Sequence, residues 1–332
     1  MSLRVDSIWY ANNPLSLLLA PLGWIYAAAA RLRRAAYAGG LLRVHRVGVP
    51  VIVVGNLSVG GTGKTPLVIW TAQYLRGRGL RPGIVTRGYG GRASRWPQQV
   101  RGDSDPFVVG DEAVLIARAT GCPVVADPDR VRGARALVSH AECDLIVSDD
   151  GLQHLALGRD VEIVVVDGIR RHGNRRCLPA GPLREPLSRL RSVDLVVSNG
   201  AAFPGEFEME LQCHEICSLL DHRDCRAFED FAGIPVHAVC AIGHPQRFFR
   251  MLRARGIEIR AEHAFPDHHP FTARDLAFGD DLPIIMTEKD AVKVQRFAAP
   301  QHWMVPARAA LVPEFGARLM AALGVADDAE EA

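Results

Sequence analysis

The sequence predicts an α/β protein built on a P-loop NTPase-like parallel sheet with helices on both faces, and three observations carry that reading. Five short, nearly continuous apolar runs, at residues 49–55, 81–86, 144–148, 161–167 and 194–198, each end at polar residues. Runs of that kind read as strands buried on both faces, as in parallel sheets. Helical stretches lie between them, the plainest at residues 63–78, with Pro66 in its first turn and Gly79 at its stop. The first run feeds a glycine loop that leads directly into this helix, the strand–loop–helix order of phosphate-binding folds.

Bulk properties bound the function. A chain of 332 residues with 48% apolar content can bury a substantial core in two domains or one large one. The net charge of +2 hides a split. Up to Gly102 there are 14 Arg and Lys residues against one acid, Asp6, whereas the remainder holds 25 basic and 36 acidic residues. That asymmetry implies an anionic partner for the first third: nucleotide, phosphorylated substrate, nucleic acid or membrane surface. A general bias towards Arg would not have spared the rest of the chain. The seven Cys are scattered, which fits a reducing compartment without a disulfide framework. Cys213, His214, Cys217, His222 and Cys225 cluster loosely, but not at C-x2-C spacing, so no zinc site is expected.

The N-terminus carries an apolar run, 14–30, interrupted by Ser16, Pro21 and Gly23 and followed by Arg31, Arg33, Arg34, Arg43 and Arg46. Positive charge after the run argues against a secretory signal. Three readings stand: a membrane-associated helix in the interface with Trp24 and Tyr26 at headgroup depth, a helix packed on the domain, or a single short span. The expected organisation is this helix plus the loop-bearing core at 1–205, then a connection and a smaller C-terminal α/β domain at 206–332. In the second part, 206–230 reads as connection, 236–242 and 284–287 as strands, 245–255 and 290–296 as helices, and the acidic tail 327–332 as frayed.

The chemistry begins at Ser58-Val-Gly-Gly-Thr-Gly-Lys-Thr65. Gly60, Gly61, Thr62 and Gly63 let backbone N–H groups face one anion, and the helix start adds its dipole. Lys64 would reach the β- and γ-phosphates of ATP, and Thr65 would offer its hydroxyl to Mg²⁺. Ser58 stands where the common G-x4-G-K-[ST] pattern has glycine, and Val59 where a related variant loop has its signature lysine. The apolar run ending Ser148-Asp149-Asp150 has the form of a strand whose terminal carboxylate holds magnesium. Arg87 and Tyr89 follow another strand end, Asp111 sits at a helix start, and His268 and His269 occupy a loop. Each of these alone is also compatible with an ordinary turn or cap.

Taken in order, GNLSVGGTGKTP, TRGYGG, VGDEA, SDDGLQH, LPAGPLREP, AIGHPQRFF, FPDHHPF and MTEKDAVK resemble the tetraacyldisaccharide 4′-kinase family over nearly the whole chain. The resemblance implies an ATP-dependent kinase of lipid A biosynthesis in Gram-negative bacteria. Its substrate would be an acylated glucosamine disaccharide 1-phosphate, phosphorylated on the 4′-hydroxyl to lipid IVA at the cytoplasmic face of the inner membrane, an anionic surface. No nucleic-acid partner is expected. By resemblance, Asp111 is the base and His268 its partner, with His269 the other candidate, and burial in a closing, lipid-bound cleft would raise the Asp111 pKa. Asp149 and Asp150, with Thr65 and Glu185, would order magnesium and phosphate. Arg87, Tyr89, Arg130 and Arg184 would meet the substrate. A nucleotide switch or metallochaperone-type GTPase is the rival reading, but Thr287-Glu-Lys-Asp290 lacks the N-K-x-D spacing of guanine recognition. A non-catalytic, membrane-attached ATP-binding module is another, and it would leave Asp111 and His268 unexplained.

Overall fold

The computed structural model describes residues 7–11 and 13–325. Asp6 and the acidic tail at 327–332 lie outside the described residues. The chain forms two compact units, each assembled from separated stretches. The first takes Met1–Arg87, Cys122–Glu210 and Ala309–Ala332, and the second takes Gly88–Gly121 and Leu211–Arg308. The division read from the sequence, 1–205 and 206–332, has no counterpart for the stretches Gly88–Gly121 and Ala309–Ala332, which fall on the other side of it.

The strands of the first unit are ordered Arg308–Leu311, Phe207–Gln212, Leu195–Asn199, Val161–Asp167, Val51–Gly55, Leu145–Asp149, Pro82–Thr86 and Val124–Ala126 in its sheet. Every neighbouring pair from Phe207–Gln212 to Val124–Ala126 is parallel. All five residues of Val51–Gly55, of Pro82–Thr86 and of Leu145–Asp149 are buried, so both sheet faces are covered, as the continuous apolar runs predict. The helix Lys64–Gly77 follows the glycine loop.

The N-terminal run forms the helices Pro14–Leu18 and Ala20–Ala38. One stripe of the second helix, Ala20, Gly23 and Ala27, is buried against the first unit. Gly23 is required there by close approach, since an added Cβ would stand 2.9 Å from the Cys177 carbonyl oxygen. The Ser16 hydroxyl donates to the Ala180 carbonyl at 2.7 Å, and Arg33 donates to the Gln153 carbonyl at 3.0 Å. The other side leaves Leu17, Leu18, Leu22, Trp24 and Ile25 exposed. No helix among the described residues is long and apolar enough to cross a membrane. Packing and an open apolar face therefore coexist on one helix.

The second unit has its own sheet, in the order Cys225–Arg226, Ile216–Ser218, His302–Val305, Ile284–Thr287, Val236–Cys240, Ile259–Ala264. The last four strands are parallel; Ile216–Ser218 is antiparallel to His302–Val305, and Cys225–Arg226 is antiparallel to Ile216–Ser218. Residues 206–230 are thus not a plain connection. Phe207–Gln212 extends the first sheet, and two short strands extend the second. Ile216–Ser218 and Cys225–Arg226 escape the sequence reading because strands this short carry little periodicity, whereas Phe207–Gln212 alternates apolar and polar residues and its signal was there to be read. Cys217 and Cys225 lie opposite one another across the antiparallel pair and are joined as a disulfide, which the expectation of unpaired cysteines missed. Among the described residues, the only three ligand-type side chains close enough to share a metal are Glu215, Cys217 and Cys225. With the two sulfurs bonded to each other, no thiolate pair is left to ligate.

Candidate active site

The glycine loop lies at the carboxyl end of Val51–Gly55, the strand flanked by Leu145–Asp149 and Val161–Asp167. Ligands in open parallel sheets gather at such strand ends. Ser58 needs no glycine freedom, because it pairs as an antiparallel bridge with Leu183, while the Val59 N–H donates to the Pro182 carbonyl at 2.8 Å. Gly63 does need it: it caps the helix at φ 99°, and an added Cβ would lie 2.6 Å from the Asn199 amide nitrogen. That amide donates to the Thr62 carbonyl at 3.1 Å, and Asn56 donates to the Thr62 hydroxyl at 3.2 Å. The loop is held from both sides, so its N–H groups stay pre-aimed. Gly60 and Gly61 form its open crest, with the Arg170 guanidinium 3.7 Å from where a Gly60 Cβ would be. Lys64 and Thr65 follow in the first helical turn.

Asp149 ends its strand buried, and the Thr86 hydroxyl donates to it at 3.1 Å. Asp150 turns away at φ 48° and pairs with Lys64 at 3.6 Å and Arg184 at 3.0 Å. Burial raises the Asp150 carboxyl, but Lys64 and Arg184 outweigh it and hold the group below its ordinary value. Glu185, also buried, accepts from Gln153 at 2.9 Å and faces Arg189 at 3.5 Å. Arg184 also reaches Gln153, at 3.4 Å, so Asp150 and Glu185 belong to one network. Arg130 is buried, with its guanidinium on the Asp127 carbonyl at 3.0 Å and the Asp149 carbonyl at 3.4 Å. Burial lowers its pKa to about 10. Arg87 is exposed.

The second unit holds its own cluster. Asp111 opens the helix Asp111–Thr120 and is 5% exposed. His268 Nδ1 lies 3.0 and 3.2 Å from its two carboxylate oxygens. His269 instead meets Asp275 at 3.3 Å, so the geometry puts His268, not its neighbour, beside Asp111. Tyr89, itself exposed, has its ring 4.9 Å from the His268 ring. Two lysines of the helix Glu288–Val294 complete the cluster. Lys293 stands 3.8 Å from Asp111 and 2.8 Å from the buried Asp290. Lys289 stands 3.0 Å from Glu112 and 3.3 Å from His268 Nε2. Burial raises the Asp111 carboxyl, yet His268, Lys289 and Lys293 more than offset it, and the group titrates below its ordinary value. Two ammonium groups and an imidazole outweigh desolvation here, whereas the upward shift read from the sequence belongs to a closed, lipid-bound cleft. His268 moves the other way; burial lowers it, but the Asp111 hydrogen bond carries it above its ordinary value.

Several residues in these clusters escaped the sequence reading, Lys293 beside Asp111 among them. Asn199 and Gln153 are uncharged, and Arg170 is one arginine in a basic run. Lys289 lies in the motif MTEKDAVK, whose spacing had been weighed only against guanine recognition.

Comparison with known proteins decides the family. The tetraacyldisaccharide-1-P 4′-kinase family, LpxK, matches residues 15–324. The chain belongs to this family. The curated tetraacyldisaccharide 4′-kinase of Nitrosococcus oceani is 54% identical over 95% of this chain and 93% of its own length. That of Pseudomonas aeruginosa is 46% identical over 94% of each. The crystal structure of LpxK from Aquifex aeolicus in complex with ATP superposes with a TM-score of 0.78 at 27% identity, covering 93% of this chain and 99% of that one. With membership come the parallel-sheet kinase fold and an ATP-dependent tetraacyldisaccharide 4′-kinase activity, and the GTPase and non-catalytic readings lapse.

Proposed function

We propose that the chain transfers the γ-phosphate of ATP to the 4′-hydroxyl of an acylated glucosamine disaccharide 1-phosphate, yielding lipid IVA, at the cytoplasmic face of the inner membrane. The observation that carries this reading is the Asp111–His268 pair: a buried carboxylate held ionised beside an imidazole is what a hydroxyl acceptor requires and a mere ATP binder does not. Asp111 takes the 4′-hydroxyl proton while His268 fixes its orientation. Lys64 and the loop N–H groups cradle the phosphates. Arg87, Tyr89 and Arg184 meet the sugar and its phosphate, and Arg130 contributes charge from beneath Asp149.

Thr65, Asp149, Asp150 and Glu185 offer only oxygen donors, the set that suits Mg²⁺. The carboxylates do not close into a three-ligand shell, and magnesium needs only one or two of them beside water and phosphate oxygens. Mg²⁺ held there supplies neutralisation of the phosphoryl oxygens. The decisive assay incubates the purified protein with labelled ATP and the disaccharide 1-phosphate. A labelled bis-phosphate lipid is expected, and its absence with active ATP binding overturns the acceptor assignment.

Membrane attachment is assigned to the exposed apolar face of the helix Ala20–Ala38 and its neighbour Pro14–Leu18. Deleting the helix would also strip Ala20, Gly23 and Ala27 from the core, so surface substitutions test it more cleanly. Leu18→Glu with Leu22→Glu and Ile25→Glu should lower binding to phosphatidylglycerol-containing vesicles by roughly tenfold or more, given about 1.5–3 kcal/mol per buried large side chain. ATP affinity should stay unchanged. Flotation equal to wild type would remove this face from membrane contact.

A further inference from the structure

The ring of His268 has two edges, and the proposed base occupies only one. Nδ1 faces the Asp111 carboxylate at 3.0 Å, and Nε2 faces the Lys289 ammonium at 3.3 Å. An ammonium can only donate, so its contact with Nε2 is favourable only when that nitrogen keeps its lone pair. A second proton on the ring would set N–H against N–H and positive charge against positive charge. Lys289 does not drift away, because Glu112 holds it at 3.0 Å and Asp267 at 3.5 Å. Desolvation lowers the Lys289 pKa, but these acids and Asp111 more than reverse it, so the side chain stays charged.

We propose that Lys289 is a positioning residue that keeps Nε2 of His268 unprotonated, so that the ring meets Asp111 as a neutral Nδ1–H donor. Resting on the reading of Asp111 as base, this gives the lysine a function in the reaction. A neutral donor orients a carboxylate while lowering its basicity less than an imidazolium would. The surrounding groups are balanced for this. Asp111 and Asp267 favour a charged ring, Lys289 opposes it, Glu112 anchors Lys289, Lys293 faces Asp111 rather than the ring, and Tyr89 covers the ring. Asp111 and Asp267 favour the imidazolium, and the net shift of His268 is upward even with Lys289 in place. Burial resists that charge first, and Lys289 is the charged group that adds to that resistance.

The test is nitrogen NMR of ¹⁵N-histidine-labelled full-length protein across pH, comparing wild type with Lys289→Met and Lys289→Arg. In wild type, the neutral ring should carry its proton on Nδ1, with Nε2 shifted as a hydrogen-bond acceptor. Lys289→Met should raise the proton affinity of His268 about tenfold or more, about one pH unit. Lys289→Arg keeps a donor-only cation and should restore the wild-type titration. Lys289→Gln serves in the same role if the methionine variant does not fold. An unchanged or lowered His268 titration in the neutral variants, or a wild-type ring protonated on Nε2, would overturn the proposal. The readout needs no turnover. If Asp111→Asn retained full activity, the base assignment would fall while the His268 titration still judged Lys289.

Discussion

Lys64→Ala abolishes phosphoryl transfer for practical purposes, lowering kcat by on the order of 10³-fold, the scale on which aimed charge at a transferring group acts. Two losses combine. The ammonium that would meet the β- and γ-phosphates disappears, and Asp150 loses one of its two cationic partners, 3.6 Å away. With less positive charge nearby the Asp150 carboxyl titrates higher, though Arg184 still pairs with it. The fold should survive, because Lys64 opens a helix whose buried face is Leu67, Val68, Thr71, Ala72 and Leu75. Steady-state kinetics with a circular dichroism control reads this out, and turnover near wild type would remove the loop from the phosphate site.

Asp111→Asn should cost about 10²–10⁴-fold in kcat, the range attributed to a positioned proton acceptor, with little change in KM for ATP. A rise in KM alone would make Asp111 a binding residue. The pH behaviour follows from the shifts. Asp111 titrates below 3.8, so its activity is lost only as pH falls through that lowered value. Stability has two limbs. The Asp111 contribution is present above 3.8 and is lost as pH falls through the folded-state value. The His268 contribution is full below 6.5 and fades as pH rises through its raised folded-state value. Urea unfolding of His268→Ala against wild type should therefore differ most between these values and converge at alkaline pH.

The parts of the fold that were legible in the sequence are those with strong local signals. The strand Val161–Asp167 and the helices Lys64–Gly77 and Pro245–Ala254 announce themselves by continuous or periodic burial. The loop was legible because glycine, lysine and threonine sit at fixed spacing between a strand and a helix. Short strands such as Val124–Ala126 and Ile216–Ser218 were not legible, since three residues carry no measurable period. The pairing of Asp111 with His268 was legible only through the family resemblance. His268 lies 157 positions away, and the pairing of His268 rather than His269 depends on a single residue at φ 61° turning the ring. Lysine 289 was hidden because its meaning depends on which ring nitrogen it meets.

The separated stretches of the two units also set an order of manufacture. The helix that begins at Asp111 leaves the ribosome long before Lys289, which lies 177 residues beyond its partner Glu112. At about 5–20 residues per second, that is a wait of roughly 9–35 seconds. The first unit waits as well, since its edge strand Arg308–Leu311 is made after everything in the second. Neither unit can finish before translation is almost complete. A ribosome stalled short of residue 302 therefore carries two sheets that each still lack a strand.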